Sequence, residues 1–175
     1  VKDLEKEAFK EGGFVIVDSK ALVTSLAMIK RTLGLKRFTL IVPKVVIQQL
    51  DSLKKAERGA REAIRWLERE LSRGHRWLRA QTQEESADIA NPSDVSKQQL
   101  QLLQCVQYFI GKSKTNNIIY LTGDNIDEDM FGESKESVRV ESVQGFVSRV
   151  LGGDKARVRK ARGRGRKRRD SDNIG

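Results

Sequence analysis

The sequence contains few of the residues that cross-link a fold or bind zinc. Its 175 residues include one cysteine, one histidine and two prolines. The single thiol, Cys105, cannot form an internal disulfide, and one histidine is too few for the ligand sets of zinc fingers. Cys105 lies among apolar positions of a helical pattern. We therefore interpret it as a core residue and not as the partner of His75 in a catalytic pair.

Long hydrophobic runs are also missing. No stretch approaches about 18 apolar residues, so the sequence predicts neither a membrane-spanning helix nor a membrane partner. The first residues, Val1-Lys2-Asp3, have no initiator methionine and no pattern of a secretory signal. We expect a piece of a longer protein from a reducing compartment.

Positive charge is unevenly distributed along the chain. Residues 154–175 contain 10 Lys or Arg and 3 Asp, a charge of +7, which leaves +3 of the formal +10 for the other 153 residues. Because the tail has few apolar side chains, we predict a folded domain over residues 1–153 and a disordered basic tail over residues 154–175.

The tail is the firmer candidate for nucleic-acid binding. Its Arg-Gly alternation favours contacts with RNA phosphates, and its basic cluster is equally typical of a nuclear-localisation signal. We therefore expect a cytoplasmic protein that shuttles to the nucleus. The predicted RNA-binding residues of the tail are Arg162, Arg164, Arg166, Lys167, Arg168 and Arg169.

The domain alternates short apolar runs with amphipathic stretches. This pattern is typical of an α/β fold with a mostly parallel sheet. Strands are predicted at residues 14–17, 38–42, 118–121 and 138–140, with a further candidate at residues 76–80. Ser19 is the expected N-cap of a helix that continues to Leu33, where Gly34 suits its end. A later helix is expected to start near Ser93 or Asp94.

Carboxylates follow two of the predicted strands. Asp18 ends the first strand, and Asp124 lies in the turn Thr122-Gly123-Asp124 after the third clear strand. Because ligands of parallel sheets bind beyond the carboxyl ends of the strands, Asp18 and Asp124 are candidate ligands for Mg²⁺ or Mn²⁺. The alternative is structural, because an Asp after a strand is often a helix N-cap or a turn residue.

An ordered set of segments resembles a known family, the PIN domains. The segments are FVIVD at residues 14–18, VPKVVIQQLDSL at 42–53, GAREAIRWLE at 59–68 and GHRWLR at 74–79. Within the family they are most similar to the PIN domains of the Smg factors of nonsense-mediated mRNA decay, and resemble the Smg-five group more than the active Smg-six group. The resemblance covers roughly residues 12–151 and implies a Rossmann-like three-layer α/β/α fold.

The resemblance also implies where the catalytic acids of active relatives would fall. Those enzymes use about four acids to bind divalent metal and activate a water for RNA cleavage. The first position matches Asp18 and the fourth matches Asp124. The second falls on Gln49, and the third falls near Gln98 or Gln99, so amides replace two carboxylates. Substitutes from nearby are the alternative, namely Asp51 and Asp94.

Loss of two carboxylates is expected to weaken metal binding by orders of magnitude, because a hard cation needs anionic oxygen. The preferred hypothesis is thus a non-catalytic module that needs no cofactor and binds RNA or protein in mRNA decay. The alternatives are a weak Mn²⁺-dependent endonuclease for single-stranded RNA, and a pocket completed in trans by another PIN domain. The resemblance implies other Smg factors and the decay helicase complex as partners of the parent protein.

A helix rich in arginine offers a second candidate RNA surface within the domain. Arg58, Arg61, Arg65 and Arg69 are spaced three and four apart and share a face, so Arg61 and Arg65 are candidate phosphate contacts. The alternative is a solvated face neutralised by the neighbouring glutamates.

Overall fold

Five parallel strands form the centre of the molecule. The computed structural model describes residues 13–90, 94–113, 118–124 and 128–152. The strands are β1 (Phe14–Val17), β2 (Thr39–Val42), β3 (Leu78–Ala80), β4 (Ile118–Thr122) and β5 (Val138–Ser142), and they lie in the order β3-β2-β1-β4-β5. Every neighbouring pair is parallel, which confirms the expected sheet and includes the candidate strand near residue 78.

Helices connect the strands, as parallel pairing requires. They are α1 (Ser19–Thr24), α2 (Leu26–Leu33), α3 (Lys44–Leu53), α4 (Arg58–Ser72), α5 (Lys97–Lys112) and α6 (residues 143–152). A 3-10 segment, Glu128–Glu136, leads into β5. Among the described residues, no helix is long and apolar enough to cross a membrane.

The three central strands, β2, β1 and β4, are buried on both faces, as their continuous apolar runs predict, whereas the edge strands β3 and β5 alternate apolar and polar residues. Val15 and Val17 of β1 belong to one core, which also holds residues of α1, α2, α3, α4 and α6. Ile16 points to the opposite core, where it packs with residues of α5 and the 3-10 segment, including Phe109 and Phe131. This arrangement confirms a three-layer α/β/α fold.

The predicted first helix differs from the observed one at its start and at its centre. Asp18, not Ser19, is the N-cap of α1, because its carboxylate accepts the Ala21 N–H at 2.7 Å. Ser25 then leaves helical geometry with φ −134° and ψ 28°, which separates α1 from α2. Gly34 caps α2 as expected. Apolar spacing alone does not detect the break, since α1 and α2 both keep their apolar faces on the core.

Helix α5 begins later than predicted. Ser96, not Ser93 or Asp94, is its N-cap, and the Ser96 hydroxyl accepts the Gln99 N–H at 3.2 Å. In return, the Gln99 side chain accepts the Ser96 N–H at 2.8 Å, which completes a capping box. This reciprocal pair satisfies two backbone donors and fixes the start of the helix.

An ion pair with a buried carboxylate fixes the segment between β3 and α5. The carboxylate of Glu85 is buried and accepts a hydrogen bond from Arg79 at 2.8 Å and another from the Thr82 N–H at 3.0 Å. Burial alone would raise the pKa of Glu85, but these hydrogen bonds outweigh burial and hold the pKa below its usual range. The ion pair between Glu85 and Arg79 of β3 therefore anchors the segment after β3 to the sheet.

Candidate functional site

The strand order places a cleft at the carboxyl edge of the sheet. Between β1 and β4 the connections change direction, which is where ligands of open α/β sheets bind. The cleft has a volume of about 1000 Å³, and residues of α1, α3, α5 and the 3-10 segment line it. Asp18, Asp124, Gln49, Gln98, Gln99 and Asp94 all contribute to the lining. The structure thus brings together all the candidate residues of the acid site except Asp51.

Backbone amides surround the carboxylate of Asp18. Besides capping α1, it accepts the Gly123 N–H at 3.2 Å and 3.3 Å through its two oxygens. Burial raises the pKa of Asp18, while hydrogen bonds from Ala21, Thr122 and Gly123 oppose that rise. Asp18 therefore joins the end of β1 to the turn after β4, in agreement with the structural alternative for this residue.

Gly123 approaches α1 too closely for any side chain. A Cβ atom at this position would lie 2.6 Å from the backbone carbon of Lys20 and 2.7 Å from the nitrogen of Ala21. Only glycine allows the amide of residue 123 to reach the Asp18 carboxylate. The contact between the turn and α1 thus depends on the absence of a side chain.

Asp124 forms an ion pair with Lys20, a residue that the sequence analysis did not select. The Lys20 ammonium lies 3.3 Å from the Asp124 carboxylate, and both side chains are more than half exposed. The Asp124 backbone is fixed by two hydrogen bonds with the Thr122 hydroxyl, each 3.0 Å long. The position of Lys20, two residues after Asp18, was the one hint of this ion pair in the sequence. Whether the contact forms depends on how α1 is oriented.

The two amides on the opposite wall bind each other. The Gln49 side chain of α3 donates to the Gln98 side chain of α5 at 3.1 Å. Gln99 takes no part in this contact because its carboxamide belongs to the capping box with Ser96. Of the two glutamines near the third acid position, Gln98 is therefore the one that faces Gln49.

The two substitute carboxylates have different positions. Asp51 is exposed, pairs with Lys54 on its own helix and does not line the cleft. Asp94 does line it, as does Asp129 of the 3-10 segment. In the described part of the chain, no three His, Cys, Asp or Glu side chains come together in a group able to hold a metal ion.

This donor set fits a hard divalent cation poorly. Mg²⁺ and Mn²⁺ bind carboxylate oxygen and retain several waters. Here one carboxylate caps a helix, the other pairs with an ammonium, and the opposite wall presents neutral amides. These residues can order water and hydrogen-bond a polar ligand, and they lack a clear base for activating a nucleophile.

Other nucleophiles near the cleft are unreactive. Tyr120 lines the cleft, and burial followed by the charge of Asp18 raises the pKa of its phenol far above the usual range. Cys105 is fully buried, and burial raises the pKa of its thiol to about 12. A neutral thiol is a poor nucleophile, which agrees with the interpretation of Cys105 as a core residue.

At least one arginine of helix α4 contributes to the fold and is not simply a free surface charge. Arg61 donates to the carbonyls of Lys54 and Lys55 at 2.8 Å and 3.4 Å, next to the end of α3. Arg65 is exposed, while Trp66 is buried and cannot stack on a base. The six basic residues predicted to bind RNA in the tail lie outside the described residues.

The parallel sheet with Asp18 and Asp124 at its carboxyl edge is the arrangement expected of a PIN domain. Comparison with known families supports this assignment. The family model of the PIN domain matches residues 15–128. The chain belongs to the PIN domain family.

Its relatives within that class are decay factors. Over 68 residues the chain is 43% identical to the mouse nonsense-mediated mRNA decay factor SMG5 and 41% identical to the human one. Each match covers 39% of the chain and 7% of the curated relative, so the chain corresponds to a small part of those proteins. The solved structure of the PIN domain of human SMG5 superposes with a TM-score of 0.53 at 25% identity, over 78% of this chain and 97% of that one.

Proposed function

We propose that this chain is the PIN domain of a nonsense-mediated mRNA decay factor that lacks nuclease activity and acts as an RNA-binding module. The hydrogen bond between Gln49 and Gln98 carries this proposal. It lies across the cleft from Asp18 and Asp124, where the family resemblance places two acids of the active enzymes. Two amides in contact hydrogen-bond to each other, whereas two carboxylates there would repel each other unless a cation or a shared proton lay between them.

The remaining carboxylates support the same conclusion. Asp18 accepts hydrogen bonds from the backbone of α1 and of the turn after β4, and Asp124 already has a cationic partner in Lys20. Metal-dependent cleavage of RNA requires a held ion that lowers the pKa of a bound water. No histidine is among the described residues that line the cleft, so a base there would have to be a carboxylate such as Asp94 or Asp129.

RNA is the favoured ligand because of charge and polarity. The basic tail supplies phosphate contacts that do not depend on sequence, and the cleft supplies neutral amides that can hydrogen-bond to bases. Within the parent protein, we propose other Smg decay factors and the decay helicase complex as partners. We further propose a cytoplasmic protein that shuttles to the nucleus through its tail.

Incubation of the full chain with labelled single-stranded RNA and Mn²⁺ tests this proposal. We expect RNA binding and no cleavage above that of buffer. Cleavage that Asp18→Asn abolishes would overturn the proposal in favour of a weak Mn²⁺-dependent endonuclease. Asp94 and Asp129 are the cleft residues that would then supply further oxygen ligands.

In a second arm of the experiment, we add the PIN domain of an active nuclease after mutating its metal site. The added domain then does not cleave RNA on its own. Cleavage that appears only in the mixture would show that the cleft is completed in trans. Failure of the full chain to bind RNA in either arm would contradict the RNA-binding part of the proposal and favour a protein partner.

A further inference from the structure

A second, smaller pocket lies beside the main cleft. Its volume is about 130 Å³, and it shares Val45 with the cleft. Five glutamines line it together with Lys44, namely Gln48, Gln81, Gln83, Gln101 and Gln104. None of the lining residues that the structure describes is acidic. We refer to it as the glutamine pocket.

The glutamine pocket has a fixed framework. The Gln81 side chain accepts the Lys44 N–H at 2.9 Å and donates to the Glu85 carbonyl at 2.7 Å. The Ala87 N–H donates to the Gln104 carbonyl at 3.0 Å, which ties the segment after β3 to α5. The buried Glu85 carboxylate anchors the same segment through Arg79. The pocket is therefore preformed by hydrogen bonds between three elements of the fold.

The remaining carboxamides of the pocket have unused hydrogen-bonding capacity. In the part of the chain that the structure describes, no residue hydrogen-bonds to the side chains of Gln48, Gln101 or Gln104. Gln101 and Gln104 are nonetheless half-buried. Each carboxamide has two N–H donors and an acceptor oxygen in one plane. The pocket therefore offers a ligand several planar sets of hydrogen-bonding groups.

We propose that the glutamine pocket binds one nucleobase of single-stranded RNA by its hydrogen-bonding edge, with Lys44 contacting a neighbouring phosphate. The inference rests on the proposed RNA-binding function and names the site that would give it base preference. Carboxamides form paired hydrogen bonds with base edges, above all with adenine. A cavity of about 150 Å³ admits a benzene-sized ring, so 130 Å³ is suited to one six-membered ring of a base.

A peptide is the less suitable occupant. Peptide anchors are mostly aromatic or aliphatic side chains that bury apolar surface, and among the described residues Val45 is the only apolar one that lines this pocket. Lys44 gives the pocket an exposed positive charge and no carboxylate opposes it there, which favours an anionic polymer.

Fluorescence anisotropy with the full chain and four labelled homopolymeric RNA decamers tests the proposal. We expect the wild type to bind one of the four at least about fivefold more tightly than the others, since one paired contact discriminates by this factor or more. The variant Gln101→Ala/Gln104→Ala should bind all four with the affinity of the weakest one. The control Gln144→Ala changes an exposed glutamine of α6 and should keep the preference.

The variant Lys44→Gln separates the phosphate contact from the base contact. It should weaken binding to all four RNAs by the same factor and leave their ratio unchanged. Equal affinities in the wild type, or an unchanged ratio in the double variant, would overturn the glutamine pocket while RNA binding itself stands. No binding of any decamer would overturn the RNA-binding function as well. Displacement of the RNA by a micromolar mononucleotide would identify a free nucleotide as the ligand and contradict the RNA assignment.

Discussion

Gln49 of α3 donates a hydrogen bond to Gln98 of α5 at 3.1 Å, and this contact joins the two helices within one wall of the cleft. Two carboxylates at that separation would repel each other by about 5 kcal/mol at an effective dielectric of 20, before solvent screening reduces the value. An acidic pair therefore requires a bound cation or a shared proton, and the amide pair requires neither. The hydrogen bond between Gln49 and Gln98 therefore holds this wall of the cleft together without a metal ion.

Restoring both acids should make the domain depend on metal. We expect Gln49→Glu/Gln98→Glu to lower the melting temperature in chelator and to recover it in Mn²⁺, because the ion neutralises the new repulsion. Thermal unfolding with and without Mn²⁺ measures the difference. Gln83→Glu/Gln144→Glu adds the same charge at two exposed positions outside the cleft and should respond little. Equal Mn²⁺ responses of the two double variants would contradict this account.

Removal of Lys20 should strengthen metal binding in that acidic background. The ammonium lies 3.3 Å from Asp124 and competes with a divalent cation for the same carboxylate. Because the ion pair is exposed, we expect Lys20→Ala to change the free energy of unfolding by less than about 1 kcal/mol. Mn²⁺ affinity, measured by calorimetry, should rise several-fold. Lys97→Ala is the control of equal charge, and the prediction is wrong if it has the same effect.

Loss of the Glu85 carboxylate should destabilise the domain far more than loss of a surface partner. Glu85→Ala leaves the Arg79 guanidinium and the Thr82 amide without their acceptor, at a cost of about 1.5–3 kcal/mol. The Arg79 side chain is 42% exposed, which keeps the cost below that of a fully buried pair. Glu62→Ala breaks the exposed pair with Arg58 and should cost less than about 0.5 kcal/mol. Urea unfolding compares the two variants.

The same carboxylate predicts how stability depends on pH. The pKa of Glu85 is lower in the folded state than in the unfolded state, so its contribution is complete at pH values above its usual pKa. The contribution disappears as the pH falls through the lowered pKa. Between pH 7 and acid, the wild type should lose more stability than Glu85→Gln, which cannot titrate. Urea unfolding at each pH measures the stability of the two proteins. An equal loss of stability in both between pH 7 and acid would exclude this role.

A methyl group at position 123 should disturb the remnant acid site. The Cβ of Gly123→Ala would overlap the backbone of Lys20, and we expect a loss of about 1–3 kcal/mol of stability. Gly111→Ala is the matched control, because no atom of the described residues lies within 4 Å of its Cβ in α5 and alanine favours the helix. Chemical denaturation measures both. Equal stability of the two variants would mean that the turn after β4 can shift without cost.

The tail should control how RNA binding responds to salt. Deletion of residues 154–175 removes 10 Lys or Arg and 3 Asp, and we expect the slope of log affinity against log salt to become flatter. Binding titrations of the full and shortened chains over a range of salt measure the slope. An unchanged slope would place the phosphate contacts on the domain instead.

The sheet was predictable from the sequence because buried parallel strands leave a direct signal. The run at residues 14–17 and its counterparts are apolar and β-branched, and each stands between polar or amphipathic segments. Helix ends were less predictable, since Asp18, Ser19, Ser93, Asp94 and Ser96 are all good N-caps by residue type. Which of them caps a helix depends on where the backbone turns.

The candidate site was predictable only in part. Strand ends identified Asp18 and Asp124, and the family resemblance identified Gln49 and the neighbourhood of Gln98. The choice between Gln98 and Gln99 depends on the capping box, which engages one of two adjacent and chemically identical side chains. The ion pair of Lys20 joins elements more than 100 positions apart in the chain, and no local pattern encodes it.

The hydrogen bond between Asp18 and Gly123 spans 105 positions, and it ties together the two halves of the sheet. The half that contains β1 and β2 is made of near neighbours in sequence, whereas pairing β1 with β4 closes a much longer loop. During synthesis on the ribosome, the first half emerges long before the partner of β1 exists. A ribosome-bound chain truncated before β4 would therefore lack Asp124 and the turn that holds Asp18, so the cleft is completed only after the segment from β4 onward has been translated.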